Sequence, residues 1–317
     1  MVKYSMQNDD PAFEHSIFAS NDPGLTISVV VPTCNAARWI GELLRQLNRQ
    51  TRRPDEILVV DSASEDATAE TARSFFGVRV IEIDRARFDH GETRDMALRE
   101  SAGDVIFFLT QDAVLQNERY IEEMLIALSA PRVACVCGRQ IARSDAPLYE
   151  KLTREFNYPE KSFVRDAESI ETMGIKAFFL SDVCSAYRRD AYLAVGGFDY
   201  PIATNEDMLI AAKFLHAGYR IAYCAEAAVY HSHAFTLKEE YRRNYKIALT
   251  LEQYRERLDY VGASREGLRL VRYVLRGLLR QGALLQSIRF CLLCAAKWAG
   301  NRAGKRRQQA ATARWMA

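Results

Sequence analysis

The sequence predicts an α/β fold: a mostly parallel sheet flanked by helices, with a helical extension at the C-terminal end. Three observations carry this expectation. Runs of β-branched and aromatic residues alternate with segments of helical period through the first half of the chain. Polar residues gather just after those runs, at what become the carboxyl ends of the strands, where open α/β sheets hold their ligands. Beyond Thr236 the pattern is helical almost to the end.

The β-branched run 27–31 predicts a first strand ending at Pro32, and Trp39, Ile40, Leu43, Leu44 and Leu47 recur behind it at helical spacing. A second strand is expected over 56–60, ending at Asp61, with a helix over 65–75. Strands over 78–83 and 105–109 are followed by helices over 91–100 and 118–128. Residues 132–141 read as a further strand, and the polar, irregular stretch 143–179, carrying Tyr149, Phe156, Tyr158 and Phe163, suits a flexible segment beside a site. A helix from Asn205 to about His216 closes at Gly218, a residue suited to a C-cap. Short strands are expected over 219–224 and 228–231. The polar clusters at the strand ends are 32–35, 61–66, 84–94 and 110–112. No internal repeat or low-complexity segment is present.

A length of 317 residues and 49% hydrophobic content fit one large domain with an appendage. The chain divides into a loose leader (1–24), an α/β domain (25–247) and a basic helical region (248–317). The leader has acids, a proline and no apolar run, so it does not read as a secretory signal. Seven cysteines, with Cys291 and Cys294 as a lone CxxC, suit thiols in a reducing cytosol better than a zinc site.

The net charge of +2 hides an asymmetry. Residues 267–317 contain no Asp or Glu and carry +11, which leaves −9 on the first 266 residues. Arg269, Arg272, Arg276 and Arg280 recur at helical spacing among Leu270, Val271, Val274, Leu275, Leu278 and Leu279, a basic amphipathic helix. The next piece, 283–299, is more apolar, but Arg289 and Lys297 keep it short of the roughly 18–20 uncharged residues that span a bilayer. These helices are expected to lie in the interface of an anionic membrane. Packing on the body, or in a homo-oligomer, is the alternative, and nucleic acid is not expected.

Four polar sets could carry chemistry. Asp112, in Thr110-Gln111-Asp112 directly after an apolar strand, could hold a cation or simply open a turn. Glu206 and Asp207 open a helix, where acids are also stabilised by the helix dipole alone. His231 and His233 alternate at the end of a strand, so only one, His231, is expected to enter a site. The segment from Asp89 to Arg94 starts a helix whose free amides, with Arg94, suit a phosphate.

Their order is more telling. Val29-Val-Val-Pro32-Thr33-Cys34-Asn35, Val59-Val-Asp61-Ser62-Ala-Ser-Glu65, Thr110-Gln-Asp112-Ala113, Gly196-Gly-Phe-Asp199 and Asn205-Glu-Asp207 follow in register. Together they resemble the family 2 glycosyltransferases of GT-A fold, over about 26–247. Phe88-Asp-His-Gly-Glu-Thr-Arg94, Thr110-Gln-Asp-Ala113 and Tyr230-His-Ser-His233 look like the bacterial rhamnosyltransferase-like branch.

The resemblance implies an inverting, metal-dependent transfer of a sugar from a nucleotide-diphosphate donor, dTDP-rhamnose or a UDP-sugar, to a glycan hydroxyl. The glycan is expected to be lipid-linked, in cell-surface polysaccharide synthesis, with the enzyme cytoplasmic and peripheral on the inner face of the cell membrane. It implies that Pro32, Thr33, Asn35 and Asp61 line the base and ribose pocket, with Gln111 on the donor side. His90 and Arg94 would lie near the diphosphate. Asp112 and His231 would hold Mg²⁺ or Mn²⁺. Asp207 would be the catalytic base with Glu206 as its neighbour, and Asp182, Tyr187 and Arg188 would face the acceptor side. Two positions depart from the family pattern: Thr110 stands where the first acid of the DxD motif is usual, and Ser62 where many members carry a second acid. A nucleotidyltransferase would favour a Gly-rich basic loop after the first strand, and a dinucleotide oxidoreductase GxGxxG; neither is there. A non-catalytic membrane scaffold is the remaining alternative.

Overall fold

Strand β1 (Ile27–Thr33) is a β-branched run buried almost throughout, as the centre of a parallel sheet demands. The computed structural model describes residues 22, 24–258 and 263–316; the expected leader lies outside them except for Asp22 and Gly24. Helix α1 (Ile40–Asn48) buries one stripe of Ile40, Leu43, Leu44 and Leu47. The alternation continues through β2 (Glu56–Asp61), α2 (Thr68–Arg73), β3 (Val78–Glu82), α3 (His90–Glu100) and β4 (Val105–Leu109). After β5 (Val114–Leu115), α4 (Tyr120–Leu128) and β6 (Val133–Ile141), the stretch expected to be flexible is ordered. It forms α5 (Leu148–Asn157), β7 (Phe163–Arg165), α6 (Ser169–Met173) and a 3-10 turn over Gly174–Phe178. The reason is α5: Tyr149 and Leu152, one turn apart, are buried against helices from the far end of the chain.

Then come β8 (Cys184–Arg188), α7 (Arg189–Ala194), α8 (Glu206–His216) and β9 (Arg220–Tyr230). Strand β9 joins the two short strands expected there. Its pairing with β6 jumps from Gly138–Cys224 to Arg139–Ala228, a bulge that breaks the sequence pattern without ending the strand. Gly138 makes room for it, since a Cβ there would lie 2.4 Å from the Ala227 carbonyl oxygen.

The sheet order is β3-β2-β1-β4-β8-β6-β9-β5, with β7 also on β9. The half formed by β3, β2, β1 and β4 is parallel, and β8 enters antiparallel between β4 and β6, which is itself parallel to β9. Alternate residues feed two cores. Val29, Val31, Phe107 and Leu109 face α1 and α4, whereas Val30, Ile106 and Phe108 face α3 and α8.

Four helices complete the fold: α9 (Leu237–Gln253), α10 (Arg255–Leu258), α11 (Ala263–Arg280) and α12 (Leu284–Met316). Helix α9 begins at a capping box, with Thr236 and Glu239 satisfying each other's backbone amides. Helix α12 lies close along α9 because Gly300 and Gly304 bring the backbones together. Gly304→Val would press on the Tyr245 carbonyl oxygen, 2.4 Å from a Cβ at that position. A loss of about 1–3 kcal/mol in urea unfolding is expected. Gly267→Ala in α11, where a Cβ meets nothing within 4 Å, should be neutral or slightly stabilising, and equal behaviour of the two variants would refute the close packing.

Candidate functional site

The loops after β1, β2 and β4 meet at one edge of the sheet. Pro32, Thr33, Cys34, Ser62, Arg85, Phe88 and Gln111 line a cleft of about 200 Å³ there. Gln111 ties two of the loops: its amide oxygen accepts from the Cys34 N–H (2.7 Å) and its amide nitrogen donates to the Cys34 carbonyl (3.3 Å). Asp61 is buried behind the cleft, where its oxygens accept from the Thr33 hydroxyl (2.9 Å) and from the Ser64 amide and hydroxyl. Asn35 turns the chain at φ 52° and accepts from the Glu65 amide (2.9 Å). Asp61 and Asn35 therefore shape the pocket from outside, while Pro32, Thr33 and Gln111 form its wall. The Ser62 hydroxyl, buried beside the cleft, has no hydrogen-bond partner among the described residues.

Next to this cleft three acids share one cation. Arg94, on α3, is buried with Nη1 3.1 Å from Glu206 Oε1 and Nε 3.5 Å from Asp182 Oδ2. Asp182 also accepts from the Ser185 and Tyr187 hydroxyls, each at 2.6 Å. Asp207 sits on the next position of α8, half-buried, accepting from the Met208 amide (2.8 Å). Burial raises the proton affinity of Asp207 well above the usual carboxylate range, and the neighbouring charges of Glu206 and Asp182 add to it. Asp182 shifts the same way for the same first reason, with Arg94 opposing.

The geometry shows what several of the expected site residues contact. Arg94 is engaged by acids rather than left bare for a diphosphate. The first-turn amides of α3 are likewise taken, because Asp89 Oδ1 accepts from Gly91 and Glu92 at 2.9 and 3.0 Å. Tyr187 and Arg188, expected on the acceptor side, lie on a strand buried on both faces. Tyr187 packs among Phe108, Tyr192, Phe198 and Phe214, and Arg188 pairs with Asp190 at 2.6 Å.

His90 is half-exposed. Its Nδ1 lies 3.3 Å from Arg94 Nη1, and an arginine can only donate, so Nδ1 accepts and Nε2 carries the proton. Surrounding protein and the charge of Arg94 hold its pKa down to about 4, so the ring is neutral near pH 7. With Phe88 and Lys246 it lines a second cavity of about 340 Å³.

The third part is a cluster of possible metal ligands. Ligand atoms of Asp112, His231 and His233 all lie within 4.8 Å of one another. Both histidines reach it because β9 ends at Tyr230, so the alternation that would send His233 to the opposite face no longer applies. His231 Nδ1 lies 3.1 Å from Gln140 Oε1, which also accepts from Arg154 Nη1, while Gln140 Nε2 donates to Ser181 (2.9 Å). The amide is thus oriented with its oxygen toward the ring, so His231 Nδ1 donates. Its bare Nε2 faces Asp112 Oδ1 at 3.6 Å. Burial and the nearby charges of Arg154, His233 and Arg143 hold His231 neutral. A carboxylate with one or two neutral imidazoles suits a divalent transition ion.

Arg143 completes this corner, its guanidinium 4.1 Å above the Trp39 ring centre, bonded to the Asp112 carbonyl and 3.8 Å from its carboxylate. Sequence reasoning missed Gln140, Arg143, His233 and Lys246. The His-x-His spacing was the one available signal.

The sequence profile of glycosyl transferase family 2 matches residues 28–196. The O-antigen chain rhamnosyltransferase RfbN of Salmonella typhimurium is 38% identical over 284 residues, spanning 89% of this chain and 90% of that protein. WbaN of Salmonella anatum, also an O-antigen chain rhamnosyltransferase, is 37% identical over 285 residues, 88% of this chain and 89% of its own. Among solved structures, the mannosyltransferase PcManGT from Pyrobaculum calidifontis, in complex with GDP-Man and Mn²⁺, is similar at TM-score 0.61 and 18% identity, covering 88% of this chain and 87% of that one. Residues 1–349 of S. aureus TarS in complex with UDP-GlcNAc give 0.56 at 19% identity, covering 80% and 73%. At such identities these structures speak for the fold alone.

Removing Arg94 leaves three neighbouring carboxylates without their shared cation. Arg94→Ala is expected to lose about 3–5 kcal/mol in urea unfolding at neutral pH. The loss should shrink as pH falls, because acids with raised proton affinity take up protons early and remove the uncompensated charge. Equal midpoints for variant and parent at neutral pH would show that the guanidinium compensates nothing.

Proposed function

Because this chain belongs to glycosyl transferase family 2 and is a glycosyltransferase of GT-A fold, we propose that it transfers rhamnose, with inversion, from dTDP-rhamnose to a hydroxyl of a lipid-linked glycan. The product serves cell-surface polysaccharide synthesis, and the enzyme works as a peripheral protein on the inner face of the cell membrane. The observation that carries the choice of sugar is near-full-length identity to two O-antigen rhamnosyltransferases. The scaffold and nucleotidyltransferase alternatives find no support beside it.

Asp207 is assigned as the base. An acceptor hydroxyl is a weak acid, and a carboxylate of raised proton affinity removes its proton more effectively than an ordinary one. The freed oxygen forms its bond to the anomeric carbon as the bond to the diphosphate breaks on the opposite face, and the nucleoside diphosphate departs with that electron pair. Glu206, held by Arg94, sets the field in which Asp207 titrates. Pro32, Thr33 and Gln111 hold the nucleotide, and the unpartnered Ser62 hydroxyl offers it a hydrogen bond. Asp112 and His231, with His233 beside them, would hold Mg²⁺ or Mn²⁺, which supplies charge neutralisation to the leaving diphosphate. Arg143, fixed beside Asp112, is assigned the cationic role at the diphosphate that Arg94 is not free to take.

Asp207→Asn should lower kcat by about 10²–10⁴ with donor KM nearly unchanged, measured by release of dTDP from dTDP-rhamnose. Since the base must be ionised, the parent's rate should fall as pH drops through a pKa above the ordinary value of about 3.9, and that acid limb should vanish in the variant. Near-native turnover of Asp207→Asn removes the assignment. Gln140→Leu frees the His231 ring to choose the wrong tautomer, so Mn²⁺ affinity, read by electron paramagnetic resonance, should weaken about 10–100-fold. Unchanged affinity would place the ion elsewhere.

A further inference from the structure

Near the turn that joins them, the two C-terminal helices are docked onto α5. Val274 and Leu278 of α11 and Phe290 and Leu293 of α12 are buried with Tyr149 and Leu152 of α5. Gln286 accepts from the Leu148 amide at 2.8 Å and so caps the start of α5. Gly277 lets α11 close onto Leu152, which lies 2.8 Å from where a Cβ would be. Between the helices the chain turns at Gly282, with φ 67°.

Around that turn a set of aliphatic side chains stays exposed, beside the exposed Arg280, Gln281 and Arg289. Leu279, Leu284, Leu285, Ile288 and Leu292 are 57, 63, 84, 60 and 51% exposed. On α12 the spacing of Leu285, Ile288 and Leu292 sets them on one stripe. Soluble surfaces carry single exposed leucines without consequence, but a contiguous patch of this kind marks a contact surface. Arg272, Arg276 and Arg280 flank it on α11, exposed and without an ion pair among the described residues.

We propose that this α11–α12 turn is seated in an anionic lipid bilayer, with the aliphatic side chains among the acyl chains and the arginines at the headgroups. Charge decides between lipid and a second copy of the chain. Arg272, Arg276, Arg280 and Arg289 stand near the turn and residues 267–317 hold no acid, so two such tips would meet as like charges. An anionic headgroup layer is complementary to the arginines, and its interior to the leucines. No helix among the described residues is long and apolar enough to cross the membrane, so the contact lies in one leaflet. The proposal rests on the lipid-linked acceptor assigned above only for its purpose, since binding itself involves no sugar.

The test is flotation of the full chain with vesicles of phosphatidylcholine plus phosphatidylglycerol, and with phosphatidylcholine alone. The parent should float with the anionic vesicles and much less with the neutral ones. The double variant Leu285→Asp, Ile288→Asp, and the triple variant Arg272→Gln, Arg276→Gln, Arg280→Gln, should each bind the anionic vesicles on the order of tenfold more weakly or worse. Unchanged circular dichroism and melting of both would show that the fold survives. A parent that stays with the soluble fraction overturns the proposal. So does a parent that is dimeric in solution, becomes monomeric in the double variant and does not float, because a second copy would then cover the patch. Release of dTDP from dTDP-rhamnose in detergent-free buffer reads the catalytic assignment separately.

Discussion

Arg94 is the point on which the arrangement of Asp182, Glu206 and Asp207 depends. It reaches from α3 to Asp182 at the entrance to β8 and to Glu206 at the start of α8, so three elements distant in sequence are held by one guanidinium. A buried ion cluster of this kind adds little net stability, because desolvation offsets most of the Coulomb gain. Its consequence is geometric and electrostatic. It fixes where α8 begins; burial is the main cause of the raised proton affinity of Asp207, and the deficit of one cation against three acids adds to it. The Tyr187 hydroxyl, buried in an aromatic core, anchors Asp182 from behind and joins that deficit to the rigid interior.

A second constraint runs through α5. One side of this helix, Tyr149 and Leu152, receives the C-terminal helices. From its other side Arg154 reaches Gln140, and Gln140 orients the His231 ring. The packed face around the α11–α12 turn and the Asp112–His231 cluster are thus both in contact with α5, the second through Gln140 of β6.

The parallel half of the fold was legible because its strands are continuous apolar runs and its helices carry clear stripes, as with Ile40, Leu43, Leu44 and Leu47. β8 was not, because Ser185 and Arg188 look like surface residues until their partners Asp182 and Asp190 are in place. α5 escaped notice because its apolar face is covered by helices that begin more than a hundred positions later. In the candidate site, residue type and order single out Asp112, His231, Glu206 and Asp207 as candidates. What a side chain spends its charge on could not be read: Arg94 looked available, and Arg143 looked like the start of a loop. Strand alternation does not place His233, because the strand ends three residues earlier at Tyr230.

The charge asymmetry that first stood out in the sequence acquires a direction in the structure. A body of −9 is repelled by an anionic surface and a tail of +11 is drawn to it, so the molecule near such a surface has a preferred orientation before any leucine inserts. Burial of the aliphatic patch then acts at short range on a molecule already turned the right way. Long-range charge and short-range apolar contact therefore have separable signatures, the first weakened by salt and the second not. A tail that were only basic would let go at high ionic strength, and one that were only apolar would bind neutral and anionic lipid alike. On the membrane proposal, Arg272, Arg276 and Arg280 beside Leu285, Ile288 and Leu292 call for both conditions together, an anionic headgroup layer over an apolar interior.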